Sequence, residues 1–167
     1  MSETDLDEVI RCTLDERELE YRRHGPGRYM VKLPGTKKLA TMCQLSLGEH
    51  SLLVEAFVMR HADENRERLY DFLLQRNGRM YGVAFALDQA GDVFLVGRIA
   101  RHAITPEELD RVLGSVLCYA DENFNAMLEI GFGSSIRREW AWRVKNNESL
   151  VNLEAFARFA DPDRSQH

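Results

Sequence analysis

The spacing of hydrophobic residues changes along the chain, and the order of these changes outlines the fold. Stretches in which apolar residues recur every three or four positions predict helices, and stretches in which they alternate with polar residues predict strands. The predicted elements are a helix over 4–18, strands at 29–33, 39–47 and 52–59, a helix over 63–77, a hairpin between 83 and 99, and a long helix from 105. This order predicts an α+β fold with a five-stranded, largely antiparallel central sheet and helices packed against it.

Residues that favour helix starts place the beginnings of these helices. Thr4 and Asp63 are the predicted N-caps of the first two helices. Thr105 stands directly before a proline and three residues before Glu108, which is the spacing of a capping box. The long helix is therefore expected to begin at residue 106.

Glycines predict where the long helix ends. Gly131 and Gly133 are expected to stop it, because glycine favours the backbone conformation that follows a helix. Two more helices are predicted over 134–145 and 149–160, the second of them capped by Ser149.

One face of the predicted sheet is too apolar to remain bare. Both alternating sets of side chains in the strand at 52–59 are apolar, which is typical of a strand that is covered on each side. Large contiguous apolar patches are uncommon on monomers. We therefore expect partial cover by the C-terminal helices together with a dimer contact. The second face is predicted to contain Ala40, Met42, Leu52, Val54, Ala56, Ala84, Ala86, Phe94 and Val96.

Length and composition narrow the class of protein. The 167 residues, 44% hydrophobic and 29% charged, suit one globular domain, predicted over 1–160 with a disordered tail at 161–167. The net charge of -5 disfavours non-specific binding to nucleic acid. No signal peptide or membrane span is predicted. Three cysteines without disulfide spacing indicate reduced thiols and a cytoplasmic location.

Five segments of the chain carry the pattern of a known family. They are LPGTKKLAT (33–41), HSLLVEAFVMR (50–60), RMYGVAFALDQAGDVFLVGRI (79–99), TPEELDRVLGSVL (105–117) and SSIRREWAWR (134–143). Together they resemble the YbjN family in its actinobacterial form, to which a role in bacterial sensory transduction regulation is assigned. The resemblance implies a fold like that of type III secretion chaperones, an α-β-β-β-α-β-β-α unit that commonly dimerises. It implies a regulatory or chaperone-like activity and supplies no catalytic residues.

No motif in the sequence predicts catalysis or metal binding. The histidines form no zinc-ligand spacing, and Asp63, the candidate partner of His61, is assigned to a helix cap. Cys43 falls on an apolar strand face, and Cys118 has no histidine or cation close in sequence to activate it. The glycine-rich segment 131–135 follows a helix, whereas a phosphate loop follows a strand. We expect no metal and no cofactor.

Two tryptophans and several arginines occur together near the C-terminus. On a helix, Trp140 and Trp142 lie about 200° apart, so both cannot face one core. Tryptophan and arginine are enriched at interface hot spots, but arginines also stack on rings within a monomer. Both interpretations stay open. The candidate partner or dimer interface comprises Arg137, Arg138, Trp140, Trp142 and Arg143.

Two functions are weighed. The leading hypothesis is a non-enzymatic, cytoplasmic protein-interaction module, chaperone-like or regulatory, that acts as a homodimer and captures an extended or amphipathic protein segment. The alternative is a small-molecule sensor or enzyme with a pocket between the sheet and the C-terminal helices. In that case Arg98, Arg137 and Arg138 would hold an anionic ligand. Neither hypothesis involves nucleic acid or a membrane.

Overall fold

The computed structural model describes residues 1–164 and contains one antiparallel sheet in the strand order β1-β2-β3-β4-β6-β5. In chain order the elements are α1 (Glu3–Glu16), β1 (Glu20–Arg23), β2 (Arg28–Pro34), β3 (Ala40–Leu47), β4 (Ser51–Met59), α2 (Arg66–Asn77), β5 (Val83–Leu87), β6 (Val93–Ala100), a 3₁₀ turn (Arg101–Ala103), α3 (Pro106–Lys145), a second 3₁₀ turn (Val151–Phe156) and α4 (Ala157–Ala160). The predicted α+β class and central antiparallel sheet are confirmed. Of the tail predicted to be disordered, 161–164 includes a hydrogen-bonded turn, and 165–167 lies outside the described residues.

The sheet has six strands, one more than predicted. β1 has only four residues and the sequence EYRR, so it lacks the apolar alternation that predicts a strand. Tyr21 nevertheless packs on Tyr29 of the neighbouring strand, with ring centroids 5.6 Å apart. Residues 24–27 connect β1 to β2.

The register between β3 and β4 corrects the predicted second face. Cys43 pairs with Ala56, and both are buried, so the two residues point to the same side of the sheet. Three β4 residues that were expected on the second face are buried on the opposite face instead. They are Leu52, Val54 and Ala56. The residues that replace them are Leu53, Glu55 and Phe57. Because side chains alternate along a strand, an error of one residue in register moves the whole strand's side chains to the other face.

α1 and the first half of α3 cover one face of the sheet. Leu6, Ile10 and Leu14 follow one another at intervals of four along α1 and are almost completely buried. α3 contributes Val116 and Met127 to the same core. Burying a side chain of this size contributes about 1.5–3 kcal/mol, so this face supplies most of the hydrophobic stabilisation.

The first helix begins earlier than predicted, and the long helix begins as predicted. Ser2, and not Thr4, caps α1: its hydroxyl accepts from the Asp5 N–H at 3.2 Å, and its own N–H donates to the Asp5 carboxylate at 2.9 Å. At α3, the Thr105 hydroxyl accepts from the Glu108 N–H at 3.2 Å. The Glu108 carboxylate accepts from a tyrosine hydroxyl outside the helix, so that capping box is only half formed.

α3 bends at the predicted glycine pair and does not end there. Its backbone departs from helical geometry at Phe132 (φ -137°, ψ 15°), and the helix then continues to Lys145. A β-carbon on Gly131 would lie 2.9 Å from that of Ala62. The glycine therefore serves the close approach of the chain segment that precedes α2.

The loop over 62–65, which we call the kink loop, satisfies the backbone groups that the bend leaves free. The N–H groups of Asp63 and Glu64 donate to the carbonyl of Gly131 at 3.1 and 3.2 Å. The Glu64 carboxylate accepts from the N–H and the hydroxyl of Ser134 at 2.6 and 2.7 Å. The prediction that Asp63 caps α2 is wrong. The helix begins at Arg66 with Asn65 at its N-cap position, and the Asp63 carboxylate accepts from the Arg60 guanidinium at 2.8 and 3.0 Å.

The C-terminal segment folds back on the second half of α3 and does not cover the sheet. The helix predicted over 149–160 is a 3₁₀ turn followed by the single-turn α4. Trp140 packs there with Phe156 in a small core that is separate from the main one. The expected partial cover of the sheet by the C-terminal helices is therefore wrong.

Candidate functional site on the open face of the sheet

The open face is the side of the sheet turned away from α1 and α3. The strand register assigns its residues, because residues that pair across strands point to the same side. They are Glu20, Arg22, Arg28, Met30, Lys32, Met42, Gln44, Ser46, Leu53, Glu55, Phe57, Ala84, Ala86, Phe94, Val96 and Arg98. None of these side chains is buried, in contrast to most of those on the opposite face.

An apolar strip crosses the open face near one end of the strands. Phe57 and Phe94 meet edge to face across β4 and β6, with ring centroids 5.5 Å apart. Ala86 pairs with Phe94 from the other side and leaves its ring accessible because it is small. Met42 continues the strip onto β3 and is 44% exposed, and Phe57 is 41% exposed. We call these four residues the apolar strip.

Two arginines occupy the other end of the open face. Arg28 pairs with Ser46, Ser46 with Leu53, and Leu53 with Arg98, so the two arginines lie in one row across the sheet. Both are exposed, and within residues 1–164 neither guanidinium forms a hydrogen bond or an ion pair. We call Arg28 and Arg98 the cation row.

A groove of about 480 Å³ extends the apolar strip around the sheet towards α3. Phe57 belongs to both, and Phe124 and Phe132 of α3 form the opposite wall. The Lys38 ammonium lies 5.6 Å from the centre of the Phe124 ring, and the Arg60 guanidinium lies 4.2 Å from that of Phe132. The groove therefore has aromatic walls with cations over them. Burial lowers the pKa of Lys38.

A second apolar patch lies where α2 meets the edge strand β5. Leu74 of α2 is 68% exposed, and Leu87 at the end of β5 is exposed as well. Together with Tyr70 they line a shallow cavity of about 350 Å³. We call Tyr70, Leu74 and Leu87 the α2–β5 patch.

The structure turns the two tryptophans of the predicted interface in different directions. Trp140 is 6% exposed and faces the small C-terminal core, and Trp142 is 54% exposed. This is the separation that helical rotation requires. Trp142 is available to a partner, and its role at an interface stays a prediction.

The arginines around the tryptophans interact within the monomer. Arg137 lies over the Phe159 ring, 5.2 Å from its centre. Arg143 forms an ion pair with Glu139 at 2.7 Å. Arg138 donates to a serine hydroxyl one turn earlier at 3.0 Å. Stacking and pairing within one chain thus account for the position of each.

The three arginines suggested for an anion site do not converge. Arg98 pairs with Leu53 in the first half of β4. The pKa of Glu64 is lowered by hydrogen bonds from Ser134 and by the positive charges of Arg137 and Arg138. These two arginines therefore lie near Glu64, which follows the end of β4. Since six further residues of β4 follow Leu53, the two groups are separated by about 20 Å of strand. Arg98 therefore does not share a site with Arg137 and Arg138.

Asp7 joins α1 to the β1–β2 hairpin. Its carboxylate accepts from the Tyr29 hydroxyl and the Gly27 N–H, both at 2.6 Å, and from the Arg23 guanidinium at 2.5 Å. Burial raises the pKa of Asp7, but these three hydrogen bonds outweigh it and the pKa is lowered. Burial and the hydrogen bond to Asp7 raise the pKa of Tyr29 to about 12. These hydrogen bonds hold α1 against the β1–β2 hairpin.

Asp121 joins α3 to the loop between β2 and β3 in a similar way. Its carboxylate accepts from the backbone N–H groups of Thr36, Lys37 and Lys38 at 2.8–2.9 Å and from the Thr36 hydroxyl at 2.8 Å. Burial raises the pKa of Asp121, and these hydrogen bonds lower it by more. Neither Asp7 nor Asp121 could be assigned from sequence, because their partners are distant along the chain.

The remaining candidate groups lie apart from the open face. Cys118 is an exposed thiol, and its hydrogen bond to Glu122 raises its pKa. Burial raises the pKa of Cys43 to about 12. Among residues 1–164 there is no group of three histidine, cysteine or carboxylate side chains that could hold a metal ion. No helix in this range is long and apolar enough to cross a membrane.

Comparison with known proteins places this fold in a family. A family model with the description "YbjN: Putative bacterial sensory transduction regulator" matches residues 6–129. The chain belongs to the YbjN family. The YbjN match begins in α1 and ends just before the bend in α3, so the open face lies inside the family unit. The second half of α3 and the C-terminal segment lie outside it.

Relatives of this YbjN protein occur in mycobacteria. An uncharacterised protein of Mycobacterium tuberculosis is 53% identical over 154 residues, which cover 89% of this chain and 84% of the relative. One of Mycobacterium leprae is 51% identical over 160 residues, covering 93% of this chain and 87% of the relative. The similarity therefore spans the extension beyond the family unit as well.

Solved structures with the same fold include type III secretion chaperones. A chain of the ExsC–ExsE complex matches with a TM-score of 0.57 and 19% identity, covering 76% of this chain and 97% of that one. A chain of the HopA1–SchA chaperone–effector complex gives a TM-score of 0.52 and 18% identity, with 72% and 93% covered. A structure of the Yersinia pestis type III secretion chaperone SycH with a YscM2 fragment gives a TM-score of 0.50 and 20% identity, and the match covers 71% of this chain and 97% of that one. At these identities the likeness establishes the fold.

Proposed function

We propose that this YbjN protein is a non-enzymatic, cytoplasmic protein-interaction module, chaperone-like or regulatory, that binds a segment of another protein on its open face. The observation that carries the proposal is the apolar strip with the aromatic groove beside it. Exposed apolar surface of this kind, bordered by polar groups, marks sites of protein association. The three free cysteines fit a reducing compartment.

The shape of the surface suits an extended or amphipathic segment. The strip crosses several strands and continues at Phe57 into the groove, so it can accept more than one apolar side chain of a ligand. The fold neighbours add support, because they were solved as complexes, one of them named a chaperone–effector complex. No comparable argument supports the small-molecule hypothesis, since the arginines suggested for it lie apart.

We further propose that the protein is a homodimer whose contact is the α2–β5 patch. Leu74 projects from α2 with most of its surface exposed, and Leu87 flanks it from the sheet edge. A patch of this kind can meet its own copy across a two-fold axis. It lies at the edge of the sheet, so self-association there leaves the centre of the open face accessible.

The binding proposal is tested by crosslinked capture from lysate with matched variants. Phe57→Ser with Phe94→Ser should abolish capture of specific partners and leave the helical circular dichroism unchanged. The control is Val151→Ser, because Val151 is 75% exposed and lies on the C-terminal 3₁₀ turn. Equal capture by wild type and the double variant would reject the open face as the binding site.

The dimer proposal is tested by light scattering coupled to size exclusion. Wild type should have twice the mass of one chain, Leu74→Asp should be monomeric, and Val151→Asp should remain dimeric. A monomeric wild type at micromolar concentration would reject the homodimer. A dimeric Leu74→Asp variant would reject this location for the contact.

A further inference from the structure

We propose that the open face selects an acidic–apolar segment, in which apolar side chains cover the apolar strip and a carboxylate lies about 13 Å away on the cation row. This inference rests on the proposed function and specifies the chemistry of the partner. The inference follows from the positions of the unpaired charges on the open face.

The face is locally cationic although the chain is acidic. The protein as a whole has a net charge of -5. Its open face carries the cations Arg22, Arg28, Lys32 and Arg98 against the carboxylates Glu20 and Glu55. Lys32 is paired with Glu20 at 3.1 Å, whereas no partner within residues 1–164 neutralises Arg28 or Arg98. Positive charge left unpaired beside an apolar surface is complementary to a partner with carboxylates.

The register fixes the separation between the two parts of the surface. Along β6, Phe94 of the apolar strip is four residues from Arg98 of the cation row. At about 3.3 Å per residue, that separation is about 13 Å. An extended ligand lying along the strands would therefore place an apolar anchor and a carboxylate four residues apart.

The row between them disfavours negative charge. Gln44 pairs with Glu55, and Glu55 pairs with Val96, so a carboxylate stands in the middle of the open face. Glu55 makes no ion pair or side-chain hydrogen bond within residues 1–164. Arg22, which has no ion-pair partner within residues 1–164 either, lies at the β1 end of this row, three strands away from Glu55. A ligand carboxylate over β4 or β6 at this level would therefore meet the repulsion of Glu55, and for a ligand along these strands the acidic position lies on the cation row.

The spacing of the arginines argues against a single small anion. Arg28 on β2 and Arg98 on β6 are three strand positions apart. At about 4.8 Å per strand this is about 14 Å, too far for one phosphate or carboxylate to contact both. Separate carboxylates on a polypeptide can reach each of them while the apolar strip is covered.

The test uses labelled peptides of twelve residues with a constant apolar centre and one variable position four residues from it, carrying Glu, Gln or Lys. Fluorescence anisotropy should show that the Glu peptide binds about tenfold more tightly than the Lys peptide, with Gln between them, and that salt reduces the difference. A fourth peptide, with Glu only two residues from the anchor, should lose the advantage because that residue would face Glu55.

Charge-reversed variants locate the effect. Arg28→Glu with Arg98→Glu should reverse the order so that the Lys peptide binds best. The control is Arg68→Glu with Arg79→Glu, because both residues are exposed, lie off the open face and change the net charge equally. The control variant should keep the wild-type order.

The outcomes separate this inference from the proposed function. Equal binding of all peptides, still abolished by Phe57→Ser with Phe94→Ser, would overturn the acidic specificity and leave the proposed function standing. Absence of any peptide binding would overturn both. Tighter binding to phosphatidylserine vesicles or to single-stranded DNA, lost in the Arg28→Glu and Arg98→Glu variant, would overturn the inference in favour of those ligands.

Discussion

The side-chain amide of Asn77 occupies both backbone hydrogen-bonding groups of Phe85 on the free edge of β5. Its nitrogen donates to the Phe85 carbonyl at 3.0 Å, and its oxygen accepts from the Phe85 N–H at 2.7 Å. The last residue of α2 thus takes the place of a neighbouring strand at the centre of this edge. Exposed sheet edges are sites of unintended pairing, and this contact closes one of them.

Asn77→Ala should open the edge. We expect a loss of about 1–2 kcal/mol in the free energy of unfolding, because two hydrogen bonds are removed and the Phe85 groups lose their partner. Urea denaturation measures the loss, and light scattering during heating should show earlier aggregation. Gln75→Ala is the control, since Gln75 is exposed on the same helix. Equal stability of the two variants would contradict the edge-closing role.

Asp7 should make stability depend on pH in the acid range. Its pKa is lowered in the folded state, so the stabilisation is complete above the unfolded-state pKa of about 3.9 and is lost as the pH falls below it. Asp7→Asn should reduce the free energy of unfolding at pH 7 by about 1.5–3 kcal/mol. The stability of this variant should also fall less steeply than that of wild type as the pH is lowered. Thermal melts from pH 7 to pH 2 check this, with Glu16→Ala as control. A parallel acid limb in wild type and Asp7→Asn would be evidence against it.

Two glycines of α3 should respond to alanine in opposite directions. Nothing lies within 4 Å of a β-carbon built on Gly114, so Gly114→Ala should stabilise the helix by about 0.5–1 kcal/mol. Gly131→Ala should destabilise by about 1–3 kcal/mol, because its β-carbon would overlap that of Ala62. Each variant controls for the other in chemical denaturation. Stabilisation by Gly131→Ala would show that the kink loop tolerates displacement.

The two tryptophans should separate local stability from association. Trp140→Ala should increase hydrogen exchange over residues 150–160, since it removes the centre of the small core. Trp142→Ala should leave stability within about 0.5 kcal/mol of wild type. As an additional contact outside the α2–β5 patch and the open face, Trp142 is expected to strengthen dimerisation or partner capture, so its loss should weaken one of them without abolishing it. Unchanged mass and unchanged capture for Trp142→Ala would reject its part in an interface.

Much of the fold could be predicted because burial leaves a periodic pattern. The elements from β2 to the start of α3 follow the hydrophobic spacing, and the Thr105 cap is where the sequence indicates it. β1 carries no such pattern, since its four residues are mostly charged. The face assignment of β4 failed for a different reason. Both of its faces are apolar, so only pairing with β3 distinguishes them.

The candidate site was less accessible to sequence reasoning. The exposure of the apolar strip depends on the C-terminal segment folding onto α3, which no local pattern indicates. Asp7 and Asp121 bind residues far along the chain, so their roles emerge only in three dimensions. The glycine pair gave the right location for an irregularity in α3 and the wrong form. The kink loop supplies the hydrogen bonds that allow α3 to continue past the two glycines.

The kink loop makes α2 and both halves of α3 mechanically one body. It binds Ile130 and Gly131 on one side of the bend and Ser134 on the other, through five hydrogen bonds that would have to break together for the angle to change. A force applied to the extension after the bend is therefore carried to α2 and to the end of β4. We therefore expect the part of the chain outside the family unit to move together with that unit and not independently of it.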